Sequence, residues 1–267
     1  MNRLQNKVAI VFGAGSSGPG WGNGKAAAVA YAQAGAKVVA VDQVMKTAQE
    51  TADLIKEKQG NAIAVQADVT DMSMVTDAVN HAINAYGHID ILHNNVGITA
   101  MGGPEDLEEE TWRRSLDINV GSVYRTCKAV LPHMISRGRG GTIVNISSLA
   151  SIRWTGYPYF AYYTAKAAVN QATVAVALQH AKSGIRANAI LVGAVDTPLI
   201  YREIASQYGS IEEMQAARNK AVPMGKMGTA WDVANAAVFL ASDEASFITG
   251  VCLPVDGGQS CVMGGVT

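Results

Sequence analysis

The chain has 267 residues, enough to bury a sizeable core with no need of a disulfide or a metal. Charged residues make up only 16%, and 21 basic residues against 22 acidic ones leave a net charge of −1, without the basic excess that binding a nucleic-acid backbone requires. The 49% hydrophobic content excludes an acidic disordered chain.

In chain order, the first element is the apolar run KVAIVF at 7–12. It is too short for the core of a signal peptide and runs straight into a glycine-rich turn, so it reads as a strand. Further apolar runs at 36–41, 61–66, 89–93, 142–147 and 186–192 also read as strands. They are continuous rather than alternating, as expected when both faces of a sheet are covered. Helical patterns fall between them, at 24–34, 45–58, 71–86, 106–136, 160–182 and 230–241. The alternation predicts an α/β fold: a Rossmann-type, doubly wound parallel sheet in three layers, with residues 1–267 as one domain. Residues 198–228 carry a helical pattern with Met214, Met224 and Met227 and no strand, which predicts an insertion over the sheet's carboxyl edge.

No apolar stretch approaches the ~18 residues of a membrane span. Cys127, Cys252 and Cys261 fit neither a CxxC nor a zinc spacing, and no HExxH occurs. No metal site is expected. Cys127 and Cys252 read as small buried hydrophobes in a reducing, cytoplasmic compartment.

The first strand feeds GAGSSGPGWGNGKAAA, with glycines at 13, 15, 18, 20, 22 and 24. Glycines between a strand and a helix let a diphosphate approach the helix N-terminus. Asp42 ends the second strand, 18–20 residues beyond Gly24 and Gly22, near the spacing of a ribose-binding carboxylate. Such a carboxylate accepts from a 2′-hydroxyl and repels a 2′-phosphate. No Lys or Arg lies between Phe12 and Gly24, so NAD is expected rather than NADP. Gly13, Ser17, Gly22 and Asn23 are the candidate phosphate-loop contacts.

Several further motifs follow in fixed order: Asp68-Val69, Asn94-Asn95-Val96-Gly97, Asn119, Ser147-Ser148, Tyr162-xxx-Lys166 and Val192 to Thr197. Together with the glycine loop and Asp42 they resemble the short-chain dehydrogenase/reductase family, in its main alcohol–ketone branch, over nearly the whole chain. Tyr162 and Lys166 are four apart and share a helix face. A nearby ammonium is expected to lower the tyrosine's pKa, so that Tyr162 exchanges a proton with the substrate hydroxyl while hydride passes between carbon and nicotinamide. Ser148 is placed to hydrogen-bond the same oxygen as charge develops on it. The resemblance implies that Asn119 supports a water chain to Lys166 and that Lys166 also binds the nicotinamide ribose. It further implies that Asp68 and Val69 contact adenine, Asn95 the adenosine ribose region, and Val195 and Thr197 the carboxamide.

The sequence departs from the family pattern in places. Phe12 replaces a threonine, Val96 an alanine and Val192 a proline, and the first loop is lengthened. Either Gly13, Gly18 and Gly20 form its glycine trio, or Gly13, Gly22 and Gly24 do, with Ser16 to Trp21 as a longer cover over the phosphates. Helix length measured back from Gly35 favours the second. Tyr159 lies seven before Lys166, the spacing of the enoyl-thioester reductase branch, and WGNGKA is similar to a stretch of that branch. An enoyl-thioester reductase using Tyr159 and Lys166 is therefore an alternative, opposed by Ser148, Asn119 and Asn94 to Gly97. A non-catalytic dinucleotide sensor on the same fold is a third reading.

Met101, Trp154, Tyr157, Tyr159, Leu199, Ile200, Met214 and Met224 fall in segments expected to border the substrate, with Ser148, Trp154, Tyr159 and Tyr162 as its contacts. That lining suits a neutral cyclic or aromatic alcohol or ketone. Arg153 reads as a solvated side chain or a carboxylate binder. Ala161, Ala165, Ala168, Ala172 and Ala175 form a narrow small-residue stripe, and the family commonly associates through such helices. A homo-oligomer, a tetramer, is expected.

Overall fold

The computed structural model describes residues 2–262. Strand β1 (Val8–Phe12) is apolar and buried at every position. It pairs on one side with β2 (Lys37–Asp42) and on the other with β4 (Ile91–Asn94). Strand β3 (Asn61–Gln66) lies outside β2, and β5 (Gly141–Ser148) and β6 (Ile185–Val192) continue beyond β4. All six expected strands are present, within two residues of their expected ends. Between β6 and the last strand of this sheet lies a two-residue ribbon, β7 (Val195–Asp196) on β8 (Gly228–Thr229). A seventh sheet strand, β9 (Cys252–Val255), completes a parallel sheet of order β3-β2-β1-β4-β5-β6-β9. The order reverses between β1 and β4, and the carboxyl ends of these two strands open a crevice there.

Helices cover both faces. One core unites α1 (Asn23–Gln33) and α9 (Ala230–Ala241), with Ala52 and Ile55 of α2 (Met45–Glu57). The other unites α3 (Met72–Tyr86), α5 (Ser122–Arg137) and α6 (Phe160–His180). The single helix expected at 106–136 is instead α4 (Glu109–Leu116), one π-helical turn at Asp117–Gly121, and α5. The wider turn carries Asn119 on its inner side, and such bulges recur where a helix must re-aim a functional residue.

The excursion after β6 contains α7 (Pro198–Glu203) and α8 (Ile211–Lys220), pinned at its base by β7 and β8. The expectation of no strand there is corrected to that extent. The alanine stripe is only partly covered within one chain. Burial on α6 runs through 161, 165, 169, 173 and 177, so Ala161 and Ala165 are buried while Ala168 and Ala175 are exposed. A strict i, i+4 row drifts away from a 4-3-4-3 row within two turns.

Candidate active site

Gly22 is the extended residue before α1, and Asn23 is its first helical residue. The second loop register is therefore the one adopted. A Cβ on Gly24 would stand 1.9 Å from the carbonyl oxygen of Gly13, so only glycine lets α1 start against the end of β1. Among the described residues no side chain caps this helix start. Its amide groups, with Gly13, Ser17, Gly22 and Asn23, border a cleft of about 1230 Å³ at the β1/β4 crevice. The intervening segment packs against later elements: a Cβ on Gly18 would touch Pro198 at 3.4 Å, and Trp21 packs on Trp231 with ring centroids 4.8 Å apart.

Asp42 reaches the same cleft. One carboxylate oxygen accepts from the amide of Gly15 at 3.0 Å and the other from that of Val44 at 3.1 Å, so the group is fixed in place. Asp68 is held by Thr70 through two bonds of 2.8 and 2.7 Å, and with Val69 forms part of the wall. Asn95 donates its amide to the Gly13 carbonyl at 2.9 Å, tying the end of β4 to the glycine turn. Val195 and Thr197 lie across the cleft, before α7. The uncapped helix start, the glycine crossing and the fixed acid at the end of β2 fit a nicotinamide dinucleotide.

Ser148 ends β5, and its hydroxyl accepts from the amide of Ala150 at 3.1 Å. Tyr162 and Lys166 follow on successive turns of α6. Lys166 is only 3% exposed, donates to the carbonyl of Ile146 at 2.9 Å, and stands 5.6 Å from the centre of the Tyr162 ring. Asn119 accepts from the amide of Ile98 and donates to the carbonyls of Ile98 and Ser115. Gly97 fills the space between Asn119 and Lys166. A Cβ there would lie 2.9 Å from the Asn119 carbonyl oxygen and 3.1 Å from Lys166 Nζ. Beneath this group Asn94 donates to Asn145, and Asn145 to Thr173, a buried polar chain from β4 across β5 to α6 that the sequence reading missed.

Burial pushes the Lys166 ammonium down to about 8. Burial also raises Tyr162, while its bond with Ser148 pulls the other way. The net direction at Tyr162 is upward, so burial outweighs the lowering expected from the Lys166 ammonium.

Tyr159 precedes α6. Its ring stacks on Tyr157 at 5.2 Å and meets Tyr162 edge-on at 6.0 Å. Burial raises its pKa too. The lysine stands over Tyr162. Tyr157, Tyr159, Leu199 and Ile200 line the cleft as expected. Four other assignments are corrected. Trp154 is 70% exposed and stacks on the outer side of Tyr163, while Met224 is 71% exposed. Met214 is fully buried beneath the tyrosines, and Met101 packs against the same apolar cluster rather than lining the cleft. The lining also carries charge. Arg202 pairs with Glu203, whose other oxygen accepts from Thr99. The Tyr208 hydroxyl bonds that of Tyr157 at 2.5 Å, joining the segment after α7 to the loop before α6. Tyr208 and Arg218 escaped the sequence reading, although the four-residue step from Met214 to Arg218 marks a shared helix face. Arg153 reaches the carbonyl of Val262.

A doubly wound sheet with a phosphate-type glycine turn and a Ser, Tyr and Lys group at its switch point defines the class as a nucleotide-dependent α/β oxidoreductase. The comparisons with known proteins give the family. Residues 19–260 match the family model described as Enoyl-(Acyl carrier protein) reductase. The chain is 37% identical to 2,5-dichloro-2,5-cyclohexadiene-1,4-diol dehydrogenase of Sphingobium indicum, over 97% of this chain and 98% of that protein. It is 37% identical to 3beta-hydroxysteroid dehydrogenase 1 of Eggerthella lenta, over 98% and 96%. A crystal structure of a short-chain type dehydrogenase/reductase from Mycobacterium marinum superposes with a TM-score of 0.88 at 31% identity, covering 97% of each chain. The chain belongs to the short-chain dehydrogenase/reductase family.

Proposed function

We propose that the protein interconverts a secondary alcohol and a ketone on a cyclic or aromatic skeleton, with NAD as the redox partner. One observation carries the reading: Tyr162 is the tyrosine that stands beside both Lys166 and Ser148. When bound, the nicotinamide accepts or returns the hydride. The chain's residues do the rest. Ser148 donates a hydrogen bond to the substrate oxygen, and Tyr162 takes the hydroxyl proton in oxidation or returns it in reduction. Lys166, still mostly protonated at neutral pH, would hold the nicotinamide ribose and keep positive charge near Tyr162. Asn119, behind Gly97, would hold the water through which Lys166 exchanges its proton. The dinucleotide would lie along Gly13, Ser17, Gly22 and Asn23, with Asp42 on the adenosine ribose, Asp68 and Val69 at adenine, Asn95 near that ribose, and Val195 and Thr197 at the carboxamide.

The relatives that act on a cyclic diol and on a hydroxysteroid support a ring-borne hydroxyl. The outward face of α6, where Phe160 and Leu178 are exposed, is the surface on which a second copy would dock in the expected tetramer. Among the described residues no helix is long and apolar enough to cross a membrane. The enoyl-thioester alternative has the description of the matched family model in its favour. It requires Tyr159 to be the proton donor, and the ring stacking of Tyr159 on Tyr157 argues against that.

Turnover of cyclohexanol and of a conjugated enoyl thioester, in wild type, Tyr162→Phe and Tyr159→Phe, decides between them. The alcohol reaction is expected to fall by about 10²- to 10⁴-fold in Tyr162→Phe and by far less in Tyr159→Phe. Loss confined to Tyr159→Phe, with reduction of the thioester, would reverse the assignment. Binding of NADH with turnover of neither substrate would favour the sensor.

A further inference from the structure

Among the described residues, the substrate end of the cleft holds a cation that no carboxylate answers. Arg218 lies one turn after Met214 on α8, and Met214 is fully buried. Residues four apart share a helix face, so Arg218 sits on the inner side of this segment. It lines the cleft together with Tyr157, Tyr159 and Tyr208. Its charge is felt there, drawing the Tyr159 and Tyr208 hydroxyls toward ionisation against the effect of burial. The other cleft arginines are accounted for differently. Arg202 is bound to Glu203 and Arg113 to Glu109, while Arg114 is exposed on α4. Among the described residues Arg218 forms no ion pair. Its Nε–H donates to the Met227 thioether at 3.3 Å, a weak acceptor, and its other N–H groups have no partner among the described residues. With Arg202 and Glu203 cancelling, the inner side of the segment keeps one surplus positive charge.

A guanidinium fork left open in a half-buried aromatic pocket matches a bidentate oxyanion. We propose that Arg218 is a specificity-determining residue, and that the preferred substrate carries a carboxylate, or an oxyanion of like charge, at the end away from its reacting carbon. The inference rests on the alcohol–ketone reading and narrows it, replacing a wholly neutral ring with an acidic one. The tyrosines would flank the ring while Arg218 fixes its far end, which sets the face that the hydroxyl presents to Ser148 and Tyr162.

The test compares kcat/KM for 4-hydroxycyclohexanecarboxylate and cyclohexanol, with NAD, in the wild type and in Arg218→Gln, Arg218→Lys and Lys220→Gln. Lys220 is exposed on the same helix and serves as the control. The wild type is expected to favour the acid by about 10- to 100-fold, the range of a charge-assisted contact. Arg218→Gln brings the ratio near one by raising the KM of the acid, Arg218→Lys keeps part of it, and Lys220→Gln keeps it all. A wild-type ratio near one overturns the proposal. So does a ratio that survives Arg218→Gln, or an effect confined to the KM of the dinucleotide. Calorimetry with cyclohexanecarboxylate separates the two levels. If neither alcohol turns over, the alcohol–ketone reading fails, yet carboxylate binding abolished by Arg218→Gln still supports the anion site. Absence of such binding overturns it.

Discussion

The cleft has two halves built on different principles. The half around Gly13, Asp42 and Asn95 is made of strand ends, a helix start and backbone groups, and its few side chains are pinned by backbone bonds. The half around Tyr157, Tyr208 and Arg218 is made of side chains carried by a loop and an excursion between sheet strands, held mainly by contacts with one another. The first is set by what the chain can do sterically. The second is set by which side chains happen to meet, so it is where relatives on one scaffold can diverge in substrate.

Where the halves meet, Lys166 gives the largest expected effect. Lys166→Met should lower kcat by at least about 100-fold, read in steady-state assays at saturating NAD. It should also alter stability. The folded-state pKa of Lys166, about 8, lies below its ordinary 10.5, so the folded chain binds fewer protons between those values. Wild-type stability therefore gains a rising contribution from pH 8 to 10.5, and the burial cost is felt in full below pH 8. Removing the charge should recover roughly 3 kcal/mol at pH 7, less what the lost bond to Ile146 contributed. Denaturant midpoints measured from pH 7 to 10.5 check this: the wild type should rise across that range more than the variant. A variant that is inactive but no more stable at pH 7 would contradict the burial argument.

In the first half alone, Asp42→Ala should shift the kcat/KM ratio of NADP to NAD upward by about 10- to 100-fold, because it removes a fixed carboxylate from the place proposed for the ribose 2′ position. An unchanged ratio would place the ribose elsewhere. In the second half, Tyr208→Phe removes the hydroxyl that bonds Tyr157. The expected change is small, a rise in substrate KM of about two- to tenfold with the KM of NAD unaffected, since a net hydrogen bond contributes about 1 kcal/mol. If the KM of NAD moved equally, the two halves would not be separable.

The same division explains what could be read from the sequence. Six strands were legible because parallel strands covered on both faces are continuous apolar runs. Strand β9 was not, because Cys252 to Val255 is a half-buried edge containing Pro254, and edge strands tolerate proline. Ser148, Tyr162 and Lys166 were legible as a group because their spacing on β5 and α6 brings them together in any copy of this fold. Trp154 was misplaced because an aromatic in a loop carries no periodicity to say which way it faces, and here it stacks outward on Tyr163. Arg218 was missed because the pairing of Arg113 and Arg202 with neighbouring carboxylates, which leaves Arg218 without one, is visible only in three dimensions. Asn119 was found by its motif, but the π turn that aims it has no pattern distinct from a helix.

The loop from Ser16 to Trp21 rests its glycines against Pro198, the first residue of α7. Any change that a bound diphosphate makes in this loop is felt at the start of the segment proposed to cover the substrate. By linkage the substrate must alter dinucleotide affinity by the same factor. Such a shared wall makes the coupling mutual: whichever ligand settles the loop first, the other is received with the same change in affinity.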